Sequence, residues 1–139
     1  MSPTPAGYSG TPLPRKLGIK PDARLGLIGA PAGFEATLGR LPPGVRVVER
    51  ARGPLDVIVA FTARRSELRR RLPALRGALD PAGGLWIAWP KRASGVATDV
   101  TETVVRRDAL AAALVDIKVC AVDATWSGLK LVIPRAMRG

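Results

Sequence analysis

Apolar residues fall along the chain in short continuous runs, interrupted once by a long stripe of helical period. Arg24–Ala30 (RLGLIGA) and Leu55–Phe61 (LDVIVAF) are almost unbroken, as strands covered on both faces are. In Leu85–Trp89, Leu85, Ile87 and Trp89 point to one face and Trp86 and Ala88 to the other. Val45–Val48 predicts a short strand closed by Glu49. Leu114–Val122 alternates like a half-covered strand, and Leu129–Ile133 returns after a polar turn at Asp123–Gly128, so the two predict an antiparallel hairpin. Leu68, Leu72, Leu75 and Leu79 recur at helical spacing, predicting a helix over Arg64–Leu79 with a kink or break at Pro73. Asp99 and Glu102 have capping-box spacing, so another helix is expected from Val100 to about Ala113. A shorter helix over Pro31–Leu38 opens on a proline, which is pre-organised for a first helical position.

Proline and glycine punctuate these elements at Leu41–Gly44, Arg52–Pro54 and Asp80–Gly84, each read as a turn. Met1–Pro14 carries four prolines and predicts an extended arm, with Tyr8 and Leu13 fastening it to the body and a helical turn at Arg15–Ile19 after it. Residues 15–139 then form one domain. Its order of strands and helices predicts an α/β architecture: a three-layer, doubly wound domain with a mostly parallel sheet of about six strands, closed by the antiparallel hairpin. The first strand belongs in mid-sheet, and the topological switch lies between it and Leu55–Phe61.

In such sheets ligands settle outside the carboxyl ends of the strands. Two segments sit there. The turn Gly29, Ala30, Pro31 and Gly33 ends the first strand and offers amides at a helix start, and Glu49 ends the second. The segment Trp89-Pro90-Lys91 and its loop bring Lys91, Ser94, Thr98 and Asp99, with Trp126 in the hairpin turn able to close over the same mouth. Lys91 suits an anionic ligand; Ser94 and Thr98 either donate to it or satisfy loop backbone. Asp99 reads as a helix cap before a base. Cys120 lies mid-strand and reads as an inert thiol.

Composition narrows the chemistry. The chain of 139 residues has no histidine and one cysteine, which removes histidine-dependent triads, histidine metal sites, cysteine zinc clusters and internal disulfides. No apolar run reaches membrane length and no secretory leader is visible, so a cytoplasmic protein with no membrane partner is expected. Net charge is +11, from 22 Lys+Arg against 11 Asp+Glu. That balance invites nucleic acid, but the six arginines of Arg64–Arg76 face away from the leucine stripe without interleaved aromatics and read as a solvated face.

KLGIKPDARLGLIGAP, LDVIVAF and LDPAGGLWIAWPK resemble the Rossmann-like class of S-adenosylmethionine-dependent methyltransferases. The resemblance implies a glycine-rich turn after the first strand, matched here by Gly29-Ala30-Pro31-Ala32-Gly33, and a ribose-binding acid at Glu49. Leu27 stands where that class has an acidic residue, and Pro31 replaces a glycine. Between Glu49 and Asp56 there is no room for the extra helix–strand unit of a full-length enzyme. GYSGTPL, KLGIKP, WPKRASGVATDVTE and VDIKVCAVDATWSGLKLVI resemble the domain-of-unknown-function 3052 family of bacterial proteins, which carries no general activity.

These observations favour a domain that binds a small anionic or nucleotide-like molecule on a degenerate methyltransferase-like site, S-adenosylmethionine being one such ligand. Nucleic-acid binding or regulation through the arginine helix, and methyl transfer itself, are the alternatives.

Overall fold

Sequence order and register explain how the sheet is built. In the computed structural model, residues 10–138 are described; Tyr8 and most of the expected arm lie outside them. The elements are α1 (Leu13–Lys16), β1 (Arg24–Ile28), α2 (Phe34–Leu38), β2 (Arg46–Val48), β3 (Leu55–Phe61), α3 (Arg65–Ala78), β4 (Leu79–Pro90), α4 (Glu102–Ala111), β5 (Val115–Ala121) and β6 (Trp126–Val132). The six strands form one sheet in the order β2-β1-β3-β4-β6-β5. β2, β1, β3 and β4 are parallel; β6 is antiparallel to both β4 and β5. This is the expected Rossmann-like α/β sheet with a C-terminal hairpin, and β1 sits beside the switch as predicted.

Strand alternation splits the core into two layers. Leu85, Ile87 and Trp89 join Leu68, Leu72, Leu75 and Val105 beneath α3 and α4. Trp86 and Ala88 face the other way, toward Leu17, Ile19, Phe34 and Leu38 of the α1–α2 side. Trp86 is fully buried, and its Nε1 donates to the Leu17 carbonyl at 3.0 Å, which ties the end of α1 to mid-sheet.

Several boundaries differ from the sequence reading. α3 runs through Pro73 without a break. Pro73 is on the exposed side, so water can satisfy the carbonyl that loses its helical donor. The expected turn at Asp80–Gly84 is an excursion inside β4: Leu79 pairs with Leu55, Gly84 resumes against Val57, and Asp80 Oδ1 accepts the Ala82 N–H at 2.9 Å. The first helical turn is Leu13–Lys16, not Arg15–Ile19, because Gly18 adopts φ +80°. α4 starts at Glu102 with Thr101 as its cap, whose Oγ1 accepts the Val104 N–H at 3.2 Å.

Candidate functional site

β1 ends at Ile28, and Gly29 turns the chain with φ +66°. A Cβ there would lie 3.2 Å from both the Phe61 carbonyl oxygen and Arg71 Nη1, so glycine is favoured by conformation and by space. α2 does not begin at Pro31 as the sequence suggests. Gly33 at φ +81° caps it, and the Phe34 N–H donates back to the Pro31 carbonyl at 3.1 Å. A left-handed residue cannot be continued backward as α-helix, so the expected amide cradle at Pro31 is replaced by a turn, and α2 has only five residues.

The turn and the end of β2 enclose a cleft of about 320 Å3 lined by Leu27, Gly29, Ala30, Pro31, Glu35 and Glu49. It continues into a groove of about 710 Å3 along β2, with which it shares Leu27, Glu35 and Glu49 and to which Leu38, Val47 and Arg50 contribute. The floor is apolar and two carboxylates stand over it. Gly29, Ala30, Pro31 and Glu49 are thus brought together; Gly33 lies behind them as the cap of α2.

Arg71, missed in the sequence reading, reaches the same turn from α3. Its Nη1 pairs with Glu67 at 2.9 Å and donates to the Phe61 carbonyl at 3.4 Å, between the ends of β1 and β3. The available signal was the i,i+4 spacing of Glu67 and Arg71. The arginines of α3 do not simply face solvent: Arg65 pairs with the buried Asp108 at 3.1 Å, and Arg76 donates to the Ala113 carbonyl at 3.3 Å.

The loop after β4 occupies the same rim, since β1, β3 and β4 are parallel and in register. Its polar groups serve the loop itself. Ser94 Oγ donates to the Lys91 carbonyl at 2.6 Å and accepts the Val96 N–H. Thr98 Oγ1 donates to the Ala63 carbonyl at 2.7 Å and accepts the Val100 N–H. Asp99 Oδ1 accepts the Arg65 N–H at 2.7 Å, so it caps α3 across space and not α4. The Lys91 N–H donates to the Thr125 carbonyl at 2.7 Å and fastens the loop to the hairpin turn. Trp89 is buried in the core beneath α3 and α4. Trp126 packs edge-on against Phe61 at 5.1 Å, and Phe61 against Phe34 at 4.8 Å, so an aromatic chain separates this loop from the cleft. Lys91, Ser94, Thr98, Asp99 and Trp126 share the rim with the cleft but do not line it.

Asp56 tethers backbone at the opposite rim: it accepts the Arg24 N–H at 2.8 Å and the Arg24 side chain at 3.0 and 3.1 Å. The Arg24 side chain holds its carboxyl below the ordinary range. Burial pushes the Cys120 thiol up, as an unreactive cysteine requires. Among the described residues no cluster of three potential ligands could hold a metal ion, and no helix is long and apolar enough to cross a membrane.

No family model and no curated protein matches the chain. Solved structures do. A S-adenosylmethionine-dependent methyltransferase from Aquifex aeolicus matches with TM-score 0.64 and 17% identity, over 86% of each chain. The Burkholderia thailandensis 1,6-didemethyltoxoflavin-N1-methyltransferase, solved with S-adenosylhomocysteine bound, matches with TM-score 0.57 and 16% identity, over 86% of this chain and 73% of that one. The magnesium protoporphyrin IX methyltransferase from Synechocystis, also with bound S-adenosylhomocysteine, gives 0.54 and 12%, over 81% and 74%. At these identities the likeness is one of fold, and the fold is that of the Rossmann-like methyltransferases.

Proposed function

We propose that the chain binds a nucleotide in the cleft over β1 and β2, on a methyltransferase-like scaffold that has lost the complete methyl-donor site. The observation that carries this reading is Glu49 and the Gly29 turn meeting across one cleft at the carboxyl rim of the sheet, with an apolar groove along β2 beside it. A carboxylate at the end of β2 accepts hydrogen bonds from a ribose diol, and an apolar floor suits a base.

S-adenosylmethionine fits this cleft at its nucleoside half. Its other half carries a sulfonium, an ammonium and a carboxylate, so it is positive overall, and beside Gly29 it would meet the Arg71 guanidinium, which already pairs with Glu67 and donates to the Phe61 carbonyl. A group of net positive charge gains less from that guanidinium than an anion does. A phosphate on the ribose gains from the same arginine. The site is therefore read as a nucleotide cleft, and the resemblance to the domain-of-unknown-function 3052 family, which implies no activity, is compatible with it.

Calorimetry at low salt with adenosine, adenosine monophosphate and S-adenosylmethionine tests the reading. The monophosphate should bind about tenfold more tightly than adenosine, the worth of one charge-assisted hydrogen bond, and S-adenosylmethionine more weakly than the monophosphate. Glu49→Gln should weaken adenosine and the monophosphate alike, and Arg71→Gln only the monophosphate. Tightest binding by S-adenosylmethionine, or no heat from any of the three, refutes it.

A further inference from the structure

The chain has seventeen arginines and only five lysines, and four of the lysines meet on one face of the sheet, away from the cleft. Trp86, Lys130 and Lys118 form a row across three strands: Trp86 is opposite Lys130 in the β4/β6 pairing, and Lys130 opposite Lys118 in the β5/β6 pairing. Lys16 of α1 reaches β5 three residues further on, its Nζ donating to the Ala121 carbonyl at 3.1 Å, and its charge acts together with that of Lys118 on Cys120 between them. Lys20 follows from the loop after α1; between the two lies Gly18, where a Cβ would stand 3.5 Å from Lys130 Nζ.

Two features set this cluster apart from a solvated basic surface. First, none of its ammonium groups is in an ion pair, although Asp22 lies beside Lys20. All seven ion pairs among the described residues use arginine and none uses lysine. Asp56 and Asp80, which lie near Lys20, are engaged by Arg24. Like charges directly opposite in a β-ladder destabilise it. Second, room is made for Lys130. A Cβ on Gly84 would come 2.5 Å from Lys130 Cε, so the lysine stem lies over this glycine and a side chain there would displace it. The Nζ sits 5.9 Å from the Trp86 ring centre. Burial pushes the Lys130 ammonium below the ordinary lysine range, and the charges of Lys118 and Lys20 push the same way.

We infer that Lys16, Lys20, Lys118 and Lys130 form a binding site for a compact polyphosphate anion. The three ammonium groups of Lys20, Lys118 and Lys130, with Lys16 next to them along β5, call for several negative charges close together, which one carboxylate does not supply, and lysine binds phosphate as a point charge. A nucleic-acid strand is disfavoured here. The aromatic residue under the cluster, Trp86, is fully buried with its N–H engaged, so no base can stack on it.

The test uses the full chain, with inorganic tripolyphosphate, inorganic phosphate and a single-stranded oligouridylate titrated at low salt. Lys118→Gln, Lys130→Met and their combination are compared with Arg70→Gln/Arg107→Gln, which removes the same charge from two residues outside the ion pairs. Tripolyphosphate should bind more tightly than phosphate, lose at least about tenfold in the lysine double variant and change less than about twofold in the arginine control. Without anion, Lys130→Met should melt at a higher temperature than the parent, because a like-charge contact is gone, and tripolyphosphate should then stabilise it less. Equal losses in the arginine control would overturn the inference, as would a lower melting temperature with binding retained. Oligouridylate binding more tightly than tripolyphosphate through these lysines would overturn the compact-anion assignment.

Discussion

Trp86→Phe is the sharpest probe of how the α1 side is held. The indole is fully buried and its N–H satisfies the carbonyl of Leu17, itself fully buried. Phenylalanine leaves a void of roughly 40 Å3, which at about 24 cal/mol per Å3 costs about 1 kcal/mol. The orphaned Leu17 carbonyl adds about 2 kcal/mol, since water cannot reach it without an opening of the structure. The total of about 3 kcal/mol is a large share of the 5–15 kcal/mol typical of a domain and corresponds to roughly 10 °C in melting temperature. Urea unfolding followed by far-ultraviolet circular dichroism measures it without relying on tryptophan fluorescence. Hydrogen exchange locates it: the Leu17 and Ile19 amides, bonded to the Leu13 and Pro14 carbonyls at 2.9 Å, should lose protection before those of β3. A loss below about 1 kcal/mol with those amides unchanged would show that α1 is held by something other than this bond.

Asp108→Ala should cost about 2 kcal/mol, because a carboxylate only 6% exposed accepts two Arg65 bonds at 3.1 and 3.3 Å, while the half-exposed guanidinium left behind can still reach water. A shift in urea midpoint equivalent to less than about 0.5 kcal/mol would contradict the reading. Asp56 gives a pH signature. Its folded carboxyl is depressed, first by the Arg24 side-chain bonds, so its contribution is full above the unfolded value near pH 3.9 and is lost as pH falls through the folded one. The melting-temperature gap between parent and Asp56→Asn should therefore hold from pH 7 to about 5 and narrow as pH falls below about 4; a gap that stays constant or widens over that fall refutes the attribution.

The sheet was legible because period-2 alternation and turn chemistry act locally. Leu85, Ile87 and Trp89 against Trp86 and Ala88 divide the two core layers as their spacing predicts. That Gly29 and Glu49 meet at one rim was legible because chain order alone puts both there. The loop after β4 misled for a physical reason: Ser94, Thr98 and Asp99 have the donors and acceptors of a site, yet the loop and the start of α3 supply partners that sequence separation conceals. Asp99 has cap spacing to Glu102, but the helix it caps begins 34 residues earlier in the chain. Arg71 and the lysine cluster were illegible for the same reason. Lys118 and Lys130 face each other, with Trp86 beside them, only because the closing hairpin sets β6 between β4 and β5.

The six-residue link from β2 to β3 explains why the cleft is open. β2 has only three residues and ends level with Gly26, while β3 starts about one residue below the level of Arg24. The chain must therefore drop about 10 Å and cross two strand spacings, also about 10 Å. Residues 49–54 reach roughly 20 Å when extended, enough for that path and far short of the 10–12 residues a helical crossover needs. With no further strand beside it, β2 is a sheet edge, and Val47 and Val48 remain 44% and 38% exposed as a wall of the groove. Exposed apolar side chains at a sheet edge invite a ligand or another strand. The charges of Glu49, Arg50 and Arg52 at the end of that edge disfavour the strand, in keeping with the small ligand proposed above.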